Sequence, residues 1–344
     1  MRASAHPHTR GGDLRVRFMS VVLGYGALAL VACTLAPLAG STHISLARVF
    51  DRSIPFADNV DAQIFFVARM PRVLTGAIVG ATLASAGVVM QALLGNPLAT
   101  PFTLGVSTGS ALGAVLVITF GSSAAAGALA SVPLASLAGA VVASAIVYVL
   151  ATRPGRPIST MVLLLAGVTL NAFFSALILF VQYAADFTQA YRTIRWLMGD
   201  LDVGSFTPIL AALPMVLAAL AIFAFLTRSL NLLSVGADTA ATRGVDIGWT
   251  QRLAFFSASL ATAAAVSLAG PIGFVGIVVP HLVRLMVGVD HRIVLPASAL
   301  FGAAFLVACD LIARTVLAPI EVPVGVVTAM VGGPFFLWLL VRRS

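Results

Sequence analysis

Long apolar runs separated by short polar stretches set the pattern of this chain. Ten runs approach the roughly 20 residues that a helix needs to cross a hydrocarbon core. They lie at about 18–38, 73–93, 104–120, 127–150, 160–183, 206–227, 252–269, 273–288, 294–316 and 324–341. Strand-type alternation is absent, and in lipid each backbone polar group has to be satisfied internally, so the spans are predicted as helices. The second span has room to begin earlier, because residues 64–67 are also apolar. Pro133 is expected to split the fourth, and Gly270-Pro271 to end the seventh. Residues 189–197 read as a short interfacial helix, with Tyr191 and Trp196 at headgroup level. Small residues from Gly76 and Gly80 through Gly87 form a face that lets helices pack closely. The predicted fold is all-α: one polytopic membrane domain over residues 1–344, with a polar tail at 1–17.

One polar island, residues 229–248, breaks the apolar pattern between the sixth and seventh spans. Residues 231–235 can form one short helix and residues 237–243 a second. Gly236, without a Cβ, allows a sharp bend between them. Asp238 then sits near the start of the second helix and Arg243 near its end, the signs the macrodipole favours. Gly244 follows as a natural stop. The island reads as a surface knob that docks a soluble partner, with an ordinary loop as the plainer reading.

Composition agrees with the pattern. The chain is 60% hydrophobic and 9% charged, far more apolar than a soluble domain requires. All 20 basic residues are arginine, and they are spread mostly near span ends, so the net charge of +8 does not point to nucleic acid. With the N-terminus in the cytoplasm, 13 arginines fall inside and 7 outside. That bias predicts both termini, and residues 229–248, in the cytoplasm. Acidic residues lean the other way, 8 outside against 4 inside. The first 22 residues mimic a secretion signal, and Leu30-Val31-Ala32-Cys33 resembles a lipoprotein cleavage box. The run is nevertheless long enough to span and many spans follow, so it reads as a first transmembrane helix. Cys33 and Cys309 lie in apolar runs as packing residues and make neither a metal site nor a disulfide framework.

Catalytic chemistry is missing. There is no glycine-rich phosphate loop, which would need a lysine. No paired carboxylates or histidine clusters sit in a span. His281, alone beside Pro280, reads as structural rather than as a metal or haem ligand. Asp310 and Arg314, four apart, share a helix face and can pair. Such a pair at a membrane is a functional hint or a self-neutralising contact. A membrane-embedded enzyme is therefore disfavoured. An ion-coupled secondary transporter is the alternative class, but it needs titratable groups at the midplane, whereas the charges here lie near span ends.

Several ordered stretches resemble one family. Arg69-Met70-Pro71-Arg72 leads into Gly80-Ala81-Thr82-Leu83-Ala84-Ser85-Ala86-Gly87 and then Met90-Gln91-Ala92-Leu93. Asn96-Pro97-Leu98-Ala99-Thr100-Pro101 and Leu104-Gly105-Val106-Ser107-Thr108-Gly109 follow. Later come Leu163-Leu164-Leu165-Ala166-Gly167-Val168, Ala269-Gly270-Pro271-Ile272-Gly273-Phe274-Val275-Gly276, Pro280-His281-Leu282-Val283-Arg284, Asp290-His291-Arg292 and Pro323-Val324-Gly325-Val326-Val327-Thr328-Ala329. Over residues 18–343 the chain resembles the FecCD family, permease subunits of ATP-driven importers for ferric siderophores, haem and vitamin B12.

The resemblance implies a type II ABC importer permease fold in a bacterial inner membrane. Two copies of the permease would enclose the pathway, lined by the fifth and tenth spans. Two ATP-binding cassette subunits would dock on the cytoplasmic side and bind ATP and Mg, with no cofactor in this chain. A periplasmic substrate-binding protein would deliver the cargo, a ferric siderophore by preference, with haem or vitamin B12 as the other candidates. Residues 229–248 would supply two coupling helices, through Gly236, Ala237, Asp238, Ala241, Arg243 and Gly244. Ala237 stands where the family commonly has an acid, and Asp238 follows it. Arg69, Arg72 and Arg314 match arginines that meet acidic residues of the binding protein. Asn96, Leu98, Ser159 and Thr160 match positions around the cytoplasmic gate of a similar permease. The plainer reading of Asn96-Pro97 is a helix-ending turn.

Overall fold

The computed structural model describes residues 11–40, 42–121, 131–152 and 158–343, and every regular element among them is helical. Ten helices stand where ten spans are predicted. They are α1 (Gly11–Leu35), α2 (Met70–Leu94), α3 (Val106–Phe120), α4 (Val132–Ala151), α5 (Thr160–Ala184), α7 (Thr207–Leu233), α9 (Ile247–Ala269), α10 (Val275–Val287), α11 (His291–Thr315) and α12 (Val324–Arg343). Of the short helices between them, two matter below: α6 (Phe187–Leu197), the predicted interfacial one, and α8 (Ala237–Thr242). Arg2, Arg10, Arg153 and Arg156, which enter the charge bias, lie outside the described residues, as do residues 127–130 of the fourth predicted span.

Among the described residues, seven helices are long and apolar enough to cross a bilayer, while the apolar stretches of α3, α10 and α12 are shorter. At 1.5 Å per residue, α10 spans only about 20 Å of the roughly 30 Å core. The segments ahead of α3 and α10, residues 99–105 with a 3-10 turn at Pro101–Leu104 and the irregular residues 270–274, extend them and are buried or half-buried. Irregular backbone is tolerated at depth when protein covers it. The second span does begin early, as one apolar helical run over Val60–Leu94 with a π-turn at Ile64–Arg69. The split expected at Pro133 turns on residues 127–130, which lie outside the described residues; among those described, Pro133 marks a helix start. It lies in the first turn of α4, where a missing N–H leaves no helical bond unmade.

Small residues decide the packing. A Cβ built on Gly80 would sit 2.2 Å from the Gly302 carbonyl oxygen, and one on Gly87 2.1 Å from that of Gly276. The backbone of α2 therefore lies directly against α11 and α10. In the apolar window of each helix, 78% is buried for the Val60–Leu94 run and 72% for α9, against 22% for α5. The centre is thus α2 and α9, with α5 on the periphery. The buried hydroxyls of Thr75 and Thr82 bond back to carbonyls four residues earlier in α2, at 2.8 and 2.6 Å. They add no unsatisfied donor to the core.

Alternating helix directions gather the turns at two ends. One end holds α8, the α10–α11 turn and the start of α1, where the Arg17 guanidinium donates to the Val287 carbonyl at 2.7 Å. The other holds α6, the start of α2, the end of α11 and the loop leading into α12.

Candidate functional site

At the α8 end, the first of the two predicted short helices does not form separately. The ladder of α7 continues to Leu233, because Leu230 is buried in the core and the Asn231 amide is held from outside the helix. Only α8 stands apart. Its N-cap, Gly236, has φ 133°, and Gly244 beyond its end has φ 80°, a region that glycine enters without steric cost. Ala240 is buried beneath the helix, while Ala237, Asp238, Ala241, Arg243 and Gly244 are all exposed. Gly244 N–H and Val245 N–H close the turn onto the Ala241 and Ala240 carbonyls, at 3.0 and 3.1 Å. Asp246 then caps α9 by accepting from the Trp249 N–H at 2.9 Å. The result is a small hydrogen-bonded knob at the edge of the bundle.

The base of that knob is tied to α11. Asn231 donates to Asp290 at 2.8 Å and accepts the His291 backbone N–H at 2.8 Å, with its oxygen also 2.7 Å from His291 Nδ1. Asp290 accepts from the Arg292 guanidinium at 2.6 Å. These bonds, from Arg292 first and Asn231 next, hold the Asp290 carboxyl down at about 2. A second tie joins α2 and α10. Arg284 donates to Gln91 at 2.5 Å, and Gln91 donates to the Gly276 carbonyl at 3.1 Å. Asp290-His291-Arg292, Pro280-His281-Leu282-Val283-Arg284 and the stretch holding Gln91 are legible as motifs in the sequence, but the partner Asn231 is not.

The four gate candidates lie at this end too. Asn96 closes a turn by accepting the Leu98 N–H at 2.9 Å, directly after the α2 cap at Gly95, as the plainer reading expects. Ser159 caps α5 by accepting from the Val162 N–H at 3.4 Å, and Thr160 is the first residue of that helix. Leu98 and Ser159 are exposed, and among the described residues no hydrogen bond joins the two pairs. Asn171, halfway along α5, links them indirectly. It donates to the Phe102 carbonyl at 3.1 Å and accepts from the Thr108 hydroxyl at 2.5 Å, clasping both sides of the break ahead of α3. Its signal in the sequence is a single asparagine midway along an apolar run.

At the α6 end, the structure brings Arg69, Arg72 and Arg314 together and buries all three. Arg314 donates to Asp310 at 2.9 Å and to the carbonyls of Ala39 and Ala36 at 3.0 and 3.2 Å. Arg69 donates to the carbonyls of Pro37, at 2.8 Å, and Thr42. Arg72 bridges two acids, Asp310 at 2.8 Å and Glu321 at 2.6 Å. The predicted Asp310–Arg314 pair is thus one limb of a larger network. All three arginines line a cavity of about 180 Å³ together with Asp202 and Glu321. A second cleft, of about 530 Å³, runs between α6 and the start of α12, lined by Arg72, Glu321, Tyr191, Arg195 and Asp200. Nothing in the pattern of the sequence singles out Glu321, which stands in a loop between two spans. His281 is buried, with its ring edge-on to Phe335 at 6.2 Å.

Comparison with known proteins places this arrangement. The model of the FecCD transport family matches residues 28–342. The cobalamin import system permease protein BtuC of Halobacterium salinarum is 46% identical over 276 residues, covering 80% of this chain and 73% of that protein. The hemin transport system permease protein HmuU of Yersinia pestis is 36% identical, covering 94% and 96%. A solved structure described as an inward-facing conformation of a metal-chelate type ABC transporter superposes with a TM-score of 0.82. It is 32% identical and covers 94% of this chain and 99% of that one.

Proposed function

The chain belongs to the FecCD transport family, and from that premise we propose that it is the membrane permease of an ATP-driven importer of metal chelates. The observation that carries the coupling mechanism is the α8 knob: a glycine-bounded helix with one buried alanine and an exposed rim including Asp238 and Arg243. It has the form of a part that another protein grips. On this reading two ATP-binding cassette subunits grip α8 in the cytoplasm and bind ATP and Mg there. The chain itself hydrolyses nothing. A second copy completes the pathway, with α5 and α12 lining it and Asn96, Leu98, Ser159 and Thr160 at its cytoplasmic mouth. The α6 end faces a substrate-binding protein, and both termini face the cytoplasm of a bacterial inner membrane.

The arginines fit a docking role in one respect: all three line a single cavity. A guanidinium suits a carboxylate partner because it donates two parallel hydrogen bonds. For cargo, the 46% relative named for cobalamin makes a corrinoid the first candidate, ahead of haem or a ferric siderophore. Against the ion-coupled alternative, Asp310, a carboxylate buried within a span, is already held by two arginines.

The test is uptake into proteoliposomes that hold the permease and its ATPase subunits, with the binding protein outside. Uptake of cobalamin should require ATP and the binding protein, with hemin and a ferric hydroxamate as competitors. Uptake driven by an ion gradient without the ATPase subunits would replace this reading by the alternative.

A further inference from the structure

We propose that Glu321 is a built-in stand-in for the partner's carboxylate: it occupies Arg72 until the substrate-binding protein displaces it, and its release frees the entrance to α12. The inference rests on the reading that the α6 end faces the binding protein.

The three arginines are not equivalent. Arg314 donates from Nε to Asp310 and from both terminal nitrogens to backbone carbonyls. Arg69 donates to two carbonyls of the segment after α1. Both hold the protein's own backbone, and a partner could take them only by unmaking buried hydrogen bonds. Arg72 differs. Its inner bond goes to Asp310, whose side chain is 2% exposed, and its outer bond to Glu321, whose side chain is 43% exposed. Exchange of one carboxylate for another on the outer limb leaves every buried bond intact. The guanidinium keeps a salt bridge throughout, so the swap requires no unpaired buried charge.

Position gives the exchange a consequence. The Arg72–Glu321 pair lines both the cavity of about 180 Å³ and the cleft of about 530 Å³. Glu321 is three residues before Val324, the first residue of α12. Beside it, the Val322 N–H donates to the Ala313 carbonyl at 3.0 Å, so the two contacts hold the start of α12, one to α2 and the other to the end of α11. Loss of the Glu321 contact leaves one. The binding protein would then act on α12 by competing for a bond that fixes it, with no need to push.

The swap replaces one ion pair by another, so affinity of the wild type for the binding protein should vary little with salt. Glu321→Gln removes the competitor. The test titrates the importer's own purified substrate-binding protein onto the permease–ATPase complex in nanodiscs, across a range of salt concentrations. Glu321→Gln should bind about fivefold tighter at low salt, the worth of one partly exposed pair, with a steeper salt dependence than wild type. Equal or weaker binding by Glu321→Gln would overturn the stand-in role. Arg72→Gln in the same titration separates the two readings. Weak binding by Arg72→Gln with unchanged Glu321→Gln rejects the stand-in and keeps the docking site. Wild-type binding by Arg72→Gln rejects both. Glu321 is half-exposed at the surface, so its variant retains the buried network and its fold.

Discussion

Asn231 and Asp290, 59 positions apart in the chain, are joined by a hydrogen bond of 2.8 Å at the root of the α8 knob. The same amide accepts the backbone N–H of His291, so one side chain binds the end of α7 to the start of α11. Asn231→Ala should lower stability by about 1–2 kcal/mol through the lost bonds. If the bond also transmits force, ATP hydrolysed per cargo molecule imported should rise in proteoliposomes. A loss of hydrolysis and uptake in equal proportion would limit Asn231 to a structural part.

Asp290 carries its own pH signature. Its folded value of about 2 lies below the roughly 3.9 of an unfolded aspartate, so it stabilises the fold above the unfolded value. That contribution fades as pH falls through 4 towards 2. The melting temperature of wild type should exceed that of Asp290→Asn by a constant amount from pH 7 to 5 and converge with it below pH 4. The gap should be small, because the group is partly exposed and screened. A gap that widens on acidification would contradict the assignment.

Gly236 and Gly244 bound the knob at φ 133° and 80°, which the fixed φ of proline, near −65°, cannot match. Gly236→Pro and Gly244→Pro should still insert and assemble in the membrane, since neither residue touches the core. ATPase stimulation by loaded binding protein should be lost in both. Normal stimulation and uptake in the two variants would reduce α8 to an ordinary loop.

Close backbone contact makes a sharper stability prediction. Gly80→Ala directs a methyl group at the Gly302 carbonyl, whereas Gly24→Ala in α1 meets nothing within 4 Å. The first should lower the detergent-solubilised melting point, at a cost of about 2–3 kcal/mol from overpacking, and the second should leave it unchanged. Equal melting points would show that the α2–α11 contact is not tight.

Orientation follows from labelling. Val235, beside α8, is 71% exposed, and Phe187, at the start of α6, is 87% exposed. In a background without Cys33 and Cys309, Val235→Cys and Phe187→Cys should react with an impermeant reagent from opposite sides of a sealed vesicle, Val235→Cys from the cytoplasmic side. Reaction from one side would break the ten-span topology.

The apolar runs made the helices legible, because a bilayer imposes one length and one chemistry on each span. Glycine and proline signals placed the α9 end and the bend at Gly236. Proline at the start of a helix and proline inside one look alike in sequence, and at Pro133 the helix start at Val132 supplies the boundary. Residues 231–235 misled: their polarity marks the attachment of Asn231 to α11, not a separate helix. Arg314 and Asp310 were visible as a pair by spacing alone. Arg72 and Glu321, 249 positions apart, were not, because only the tertiary packing of α2 against α11 brings the loop before α12 to Arg72.

The clasp of Asn171 bears on how an opening could be driven. A rod and a flap joined at one pin share their motion. Here α5 is the rod, residues 95–105 are the flap, and the pin is the Asn171 amide on the Phe102 carbonyl and Thr108 hydroxyl. Gly167 presses on the same flap, where a Cβ would lie 2.5 Å from the Thr103 carbonyl oxygen, so there is no slack beneath it. Tilting the rod therefore swings the flap, and with it Asn96 and Leu98. Any change in the inclination of α5, which packs on α3 and α4 as well, would thus be felt at Asn96 and Leu98.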